Sequence, residues 1–237
     1  MMYVTGDTHG IRDFDKLRKF TEKHTELTRD DFVIIAGDFG GVWNPHTIRD
    51  DLKPYKELPF TVLFVDGNHE NFDLLEKYPS ELWRGGKVHI IVDNIIHLMR
   101  GQVYEIDGKT FFTFGGATSI DKAWRPEGVS WWQQEVPTDE DINEANKNLE
   151  KVGFKVDYII THSCDEKALY YPPLSTSLFQ KGVFHENKIL SYFEEKVQYK
   201  HWYFGHYHLD GALTDKKTVL YQRIICLGNQ IGGNNER

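Results

Sequence analysis

Thr61-Val62-Leu63-Phe64-Val65-Asp66-Gly67-Asn68-His69-Glu70 is an apolar run that stops abruptly in glycine and polar residues. Such a run, rich in β-branched and aromatic side chains and bounded by turn formers, reads as a buried strand that hands its next residues to a loop. The same construction recurs on both sides. Met2–Thr5 leads into Gly6-Asp7-Thr8-His9, Phe32–Ala36 into Gly37-Asp38, Tyr158–Ile160 into Thr161-His162, and Trp202–Phe204 into Gly205-His206-Tyr207-His208. A further run, Thr110–Phe114, ends in Gly115-Gly116.

Helical patterns lie between these runs. Phe14, Leu17 and Thr21 mark one face of a helix over Asp13–Glu26, and Ile189, Leu190 and Phe193 mark another over Glu186–Lys196. Thr138 with Asp141 is a capping arrangement for a helix carrying Ile142, Ala145, Leu149 and Val152. Strands followed by helices imply βα units. In contrast, Val88–Val92 with Ile95–Leu98, and Val103–Ile106 with Lys109–Phe114 across Asp107-Gly108, read as antiparallel pairs. Mixed sheets are therefore expected. Thr218–Leu227 reads as strand-like and closing.

The 237 residues, 40% of them hydrophobic, can bury one substantial core, and a single domain over residues 1–237 is expected, with 229–237 a polar tail. A net charge of −8 disfavours an extended nucleic-acid footprint, which needs basic patches to neutralise phosphates. Cys164 and Cys226 form neither a disulfide framework nor a paired metal-ligand spacing. No apolar run approaches the roughly 18 residues of a membrane span, and Met1–Asp7 runs straight into a strand. The expectation is a cytoplasmic protein with no membrane partner.

In an open α/β sheet, ligands bind outside the carboxyl ends of the strands. Asp7, His9, Asp38, Asn68, His162, His206 and His208 are thus expected to converge. In extended chain, residues two apart face one side, which would present Asp7 with His9 and His206 with His208. Taken singly, each motif has an ordinary reading: a capping aspartate, a strand exit, or a satisfied strand-end histidine. Taken together, an Asp, His and Asn set without thiolates suits manganese, iron or zinc, and it is larger than one ion needs. Two divalent ions against the carboxylates of Asp7 and Asp38 leave a charge of roughly +2, which acidifies a bridging water and clamps a phosphate oxygen.

Asp7-x-His9, Gly37-Asp38, Gly67-Asn68-His69-Glu70, His162 and Gly205-His206-x-His208 resemble, in this order, the signature of the calcineurin-like metallophosphoesterase superfamily. The resemblance implies an α/β fold, a four-layer αββα sandwich with two mixed sheets. It also implies a dinuclear centre: Asp7, His9, Asp38 and His208 on one ion, and Asp38, Asn68, His162 and His206 on the other. Asp38 would bridge, Asn68 would also touch the phosphate, and His69 would protonate the leaving oxygen. The arginines with which protein-phosphatase members clamp phosphate are absent, because Phe39-Gly40-Gly41 follows Asp38 and Asp66 precedes Gly67. The chain looks more like the smaller bacterial, phage-type and diesterase-like members. The carboxylate that usually orients the catalytic histidine is missing too, and Asp66 is a candidate for that role.

The segment Gly115–Arg125, with Trp131-Trp132 beyond it, is expected to set specificity. Arg125 and Lys122 would supply a phosphate clamp, and Trp124, Trp131 or Trp132 would stack on a base or aromatic leaving group. The plainer reading is that the tryptophans cap the core beneath a long loop. The function expected is hydrolysis of a small phosphorylated or nucleotide-like monoester or diester by metal-bound hydroxide. The alternatives are a nuclease or phosphodiesterase acting on short nucleic-acid ends, and a catalytically silent metal-binding scaffold.

Overall fold

The apolar runs become strands at nearly the boundaries that their terminal residues suggest. In the computed structural model, residues 1–177 and 182–228 are described, so the polar tail expected over 229–237 lies outside the described residues. One sheet holds β1 (Met2–Thr5), β2 (Phe32–Ile35), β3 (Thr61–Phe64), β4 (Ser80–Trp83), β5 (Gly86–Val92), β6 (Ile95–Leu98) and β13 (Ile224–Cys226), in the order β13-β1-β2-β3-β6-β5-β4. Its centre, β1 to β2 to β3 to β6, is parallel, and β13, β5 and β4 are antiparallel additions. The other holds β7 (Gln102–Ile106), β8 (Lys109–Phe114), β9 (Tyr158–Thr161), β10 (His201–Phe204), β11 (Gly211–Thr214) and β12 (Lys217–Val219), in the order β11-β12-β10-β9-β8-β7. Both sheets are mixed, as the hairpin signals implied.

Alternation along each strand builds the layers. Val4, Phe32, Ile34 and Leu63 of the first sheet share a core with Phe111, Ile160 and Tyr203 of the second. Their neighbours Tyr3, Val33, Ile35 and Val62 point the other way, to Leu17 and Phe20 of α1 (Asp15–Lys23) and Leu52 and Tyr55 of α2 (Ile48–Lys56). Phe112, Ile159 and Trp202 likewise meet Ala145 and Leu149 of α4 (Asp139–Lys151) and Leu190 and Phe193 of α5 (His185–Lys196), while α3 is the short turn Phe72–Leu75. Helix, sheet, sheet and helix follow one another, because a strand buried on both faces needs apolar partners on each.

The expected capping of α4 is present: Asp141 N–H donates to Thr138 Oγ1 at 3.3 Å and Thr138 N–H to Asp141 Oδ2 at 2.8 Å, a pair of bonds of the kind that stabilises a helix start by about 1 kcal/mol. The first helix is shorter than the Asp13–Glu26 pattern, running from Asp15 to Lys23. The closing segment is divided rather than continuous. β12 joins the second sheet and β13 the first. Between them the carboxylate of Asp210 accepts the backbone N–H groups of Tyr221, Gln222 and Arg223 and holds the crossing. Among the described residues, no helix is long and apolar enough to cross a membrane.

Candidate metal centre

All the expected ligand residues follow strand ends at one edge of the two sheets, but not as pairs on extended chain. His9, Asp38, His206 and His208 have φ of 45°, 48°, 69° and 50°, the left-handed region. Each such non-glycine residue costs of order 1–3 kcal/mol and persists only where its surroundings fix it. The reason is room. A strand continued straight would carry these side chains past one another, whereas sharp turns fold them back over the sheet edge. Two glycines keep the turns close: a Cβ on Gly67 would lie 2.0 Å from Asp38 Oδ1, and one on Gly205 would lie 2.2 Å from Asp7 Oδ1.

The side chains meet through their acceptor atoms. His162 Nε2 lies 3.1 Å from Asn68 Oδ1 and 3.3 Å from Asp38 Oδ1. His9 Nε2 is 3.2 Å from Asp38 Oδ2, and His208 Nε2 is 3.1 Å from Asp7 Oδ2. The last contact is close yet not aligned as a hydrogen bond, so the buried Asp7 Oδ2 has no donor. Asp7, His9 and His208 bring ligand atoms within 4.8 Å of one another, as do Asp7, Asp38 and His162, and also His9, Asp38 and His69. No lysine or arginine pairs with Asp7 or Asp38 among the described residues.

The electrostatics follow from that imbalance. Burial opposes ionisation of Asp38, yet His162 and His9 hold its carboxyl well below the usual range. Burial likewise opposes a charged His162, but Asp38 and Asp7 push it up to about 10; the same competition puts His9 at about 9. Protein groups alone thus balance these carboxylates with protons on the imidazoles. His206 is pushed down to about 3 by burial and by the neighbouring His162 charge, which leaves its ring neutral with a lone pair to give. Buried carboxylates that no lysine or arginine neutralises, beside imidazoles that can give up a proton and offer a lone pair, are a donor set that fits divalent metal ions.

A surrounding layer orients these donors, and of its side chains the sequence marked only Glu70, in the Gly67-Asn68-His69-Glu70 block. His162 Nδ1 faces Ala36 O at 2.9 Å and His9 Nδ1 faces Asp13 Oδ2 at 2.9 Å, which turns both Nε2 atoms toward the carboxylates. Tyr221 donates to Asp13 Oδ1 and stacks on the His208 ring at 4.6 Å. Lys16, its ammonium pushed down to about 8 by burial, donates to the carbonyls of Gly6, Asp7 and Tyr221 and fastens the first turn. Glu70 accepts from the N–H groups of Phe39 and Gly40 and fastens the second.

The residues expected to bind substrate sit differently. Arg125 is tied into its own loop through Ser119 Oγ, Asp121 Oδ1 and Ser130 O, and Lys122 lies over the Trp131 ring at 5.5 Å. Trp124 is 89% exposed, while Trp132 is buried and donates to Asp73, as a core cap would. Asp66 does not reach His69; it is held by Arg100 and His97. His69 instead has its backbone N–H on Asp38 Oδ1 at 2.7 Å and its ring between His9 and Trp43, at 5.4 and 6.5 Å. It lines two cavities. One, about 210 Å³, has Asn68, Thr118, Ile120, Phe184 and Tyr207. The other, about 290 Å³, has His9, Ile11, Arg12, Trp43 and Asp51, and among the described residues the Arg12 guanidinium has no partner.

Strand-end imidazoles and carboxylates, gathered where no lysine or arginine pairs with Asp7 or Asp38 among the described residues, form candidate groups for holding metal ions. The calcineurin-like phosphoesterase family model matches residues 2–210, and the chain belongs to that family. Among solved structures, a candidate 5'-nucleotidase from Staphylococcus aureus in complex with alpha-ketoglutarate is 17% identical, with a TM-score of 0.48, covering 93% of this chain and 48% of that one. The chain thus spans about half the length of that protein. Phosphopantetheinyl hydrolase from Mycobacterium tuberculosis is 16% identical, with a TM-score of 0.46, covering 93% of this chain and 87% of that one. No curated protein matches the sequence.

Proposed function

We propose that the chain hydrolyses a small phosphodiester at a dinuclear centre, with Asp38 shared between two divalent ions. Asp7, His9 and His208 would complete one ion, and Asn68, His162 and His206 the other. The donor set suits manganese, with iron or zinc as alternatives. Bound there, the ions would supply Lewis acidity: charge to neutralise phosphate oxygens and to acidify water. What carries this reading is the convergence of carboxylate, amide and imidazole donors, 3.1 to 3.3 Å apart, with no lysine or arginine paired to Asp7 or Asp38.

The remaining work falls to protein groups. His69 is placed by its backbone bond to Asp38, and its imidazole gives a proton to the leaving oxygen as general acid. His69 lines both cavities. A diester carries two organic arms on phosphorus, and two cavities that share the acid in their linings support that class over a monoester. Arg12 in the lining of one cavity offers an anion-binding fork, and Trp43 offers a planar wall. These features favour a nucleotide-like arm, and the acidic balance of the chain disfavours a long polynucleotide.

The test is the rate of metal-stripped protein on p-nitrophenyl phosphate and bis-p-nitrophenyl phosphate, before and after manganese is added. Manganese-dependent turnover with the diester faster is expected. A faster monoester would overturn the diester assignment, and two bound ions with no turnover would leave a silent scaffold.

A further inference from the structure

The side-chain amide of Asn68 has one end that can hold a cation, Oδ1, and one that cannot, Nδ2. Within the cluster only His162 Nε2 faces this amide, and as a metal ligand that nitrogen would have no proton with which to hold it. The hold comes from the glycine-rich loop. Nδ2 donates to Ser119 Oγ at 3.2 Å, and Oδ1 is left toward His162 Nε2 at 3.1 Å. Ser119 has a single hydroxyl proton, and it goes to Glu135 Oε2 at 2.8 Å. The oxygen's lone pairs are then free for Asn68 Nδ2 and for Arg125 Nη1, the latter at 3.2 Å.

Glu135 makes this direction obligatory. Its Oε1 accepts the Ser119 backbone N–H at 2.7 Å, so both carboxylate oxygens are spent on one serine. Glu135 is fully buried and Ser119 is 2% exposed. The carbonyls of Gln134 and Glu135 accept from Arg100, whose Nε donates to Asp66, two residues before Asn68. The loop is therefore registered against the backbone that carries Asn68. Thr118, the neighbouring residue, is held to Glu186 by an equivalent pair of bonds but does not reach a ligand.

We propose that Ser119 and Glu135 are positioning residues, which fix the Asn68 amide with Oδ1 turned into the metal centre. The proposal rests on the dinuclear reading above, in which Asn68 serves one ion. Its alternative is that the pair merely staples a loop.

Calorimetric titration with manganese, alongside turnover of bis-p-nitrophenyl phosphate, separates the two. Ser119→Ala is expected to weaken the ion that Asn68 serves by about 10–100-fold, the range for lost outer partners of ligands. Glu135→Gln keeps the side-chain shape, but its amide nitrogen donates to Ser119 Oγ. The freed hydroxyl proton then favours the opposite amide orientation, so the same loss is expected without loss of folding, as melting curves would verify. In an Asn68→Ala background, Ser119→Ala should cost no further manganese affinity. Wild-type affinity in both single variants, or an equal loss with Asn68 already removed, would overturn the proposal. If the unaltered chain bound no second ion, the dinuclear reading itself would fall and this inference with it.

Discussion

Two buried acidic clusters lie side by side in this protein and are neutralised in opposite ways. Asp66 is met by Arg100 Nε at 2.7 Å and by His97 Nε2 at 3.3 Å, with His89 a further 3.1 Å along. Burial opposes its ionisation, but the Arg100 guanidinium holds the carboxyl far below the usual range. Asp7 and Asp38, on neighbouring strand ends, meet only imidazoles and backbone N–H groups among the described residues. A buried charge needs a partner. Where the chain supplies an arginine the cluster is complete and structural; where it supplies only imidazoles and backbone N–H groups, it suits the divalent ions proposed above.

The comparison breaks first on chemistry. If the Asp38 cluster is a reaction centre, His69→Ala should lower the rate on an unactivated diester by about 10²–10⁴-fold while manganese content is kept. Full activity on that ester would remove His69 as the acid. Stability comes next. Arg100→Ala strands a buried aspartate and should cost about 3–5 kcal/mol in urea unfolding, with or without metal. Manganese at 100 times its dissociation constant should add about 2.7 kcal/mol to the unaltered chain. A variant as stable as the parent would show that Asp66 does not depend on its arginine.

The smallest effect separates the clusters by pH. Burial, and then the neighbouring His97, push His89 down to about 4. Between that value and its ordinary range near 6.5, the unfolded chain binds the proton and the folded chain does not, so stability falls as pH drops through this window. His89→Asn should flatten the slope of the urea midpoint over that interval. An unchanged slope would place the pH dependence elsewhere.

Much of the Asp7 and Asp38 cluster was legible because apolar runs announce strands, and glycine announces the turns after them. Gly67 and Gly205 are needed where a Cβ would strike Asp38 or Asp7. The left-handed turns at His9 and His208 were not legible, since neither residue type declares that backbone. Helix α2 was hidden by Pro54, which sits inside it and argues against a helix in sequence. Arg100, Ser119 and Glu135 carry no local signal at all. Their meaning is in partners 34, 51 and 16 positions away, and only the packed loop brings those together. The charged residues of that loop looked like a substrate clamp for the same reason, for nothing in the sequence shows Arg125 bound to its own loop.

The most direct measurement is the number of manganese ions held per chain, by elemental analysis of the loaded protein and of Asp38→Asn. The dinuclear account predicts two ions per chain, and loss of both ions and of turnover when the shared carboxylate is removed. One ion per chain with full activity, or two ions retained by Asp38→Asn, would contradict it.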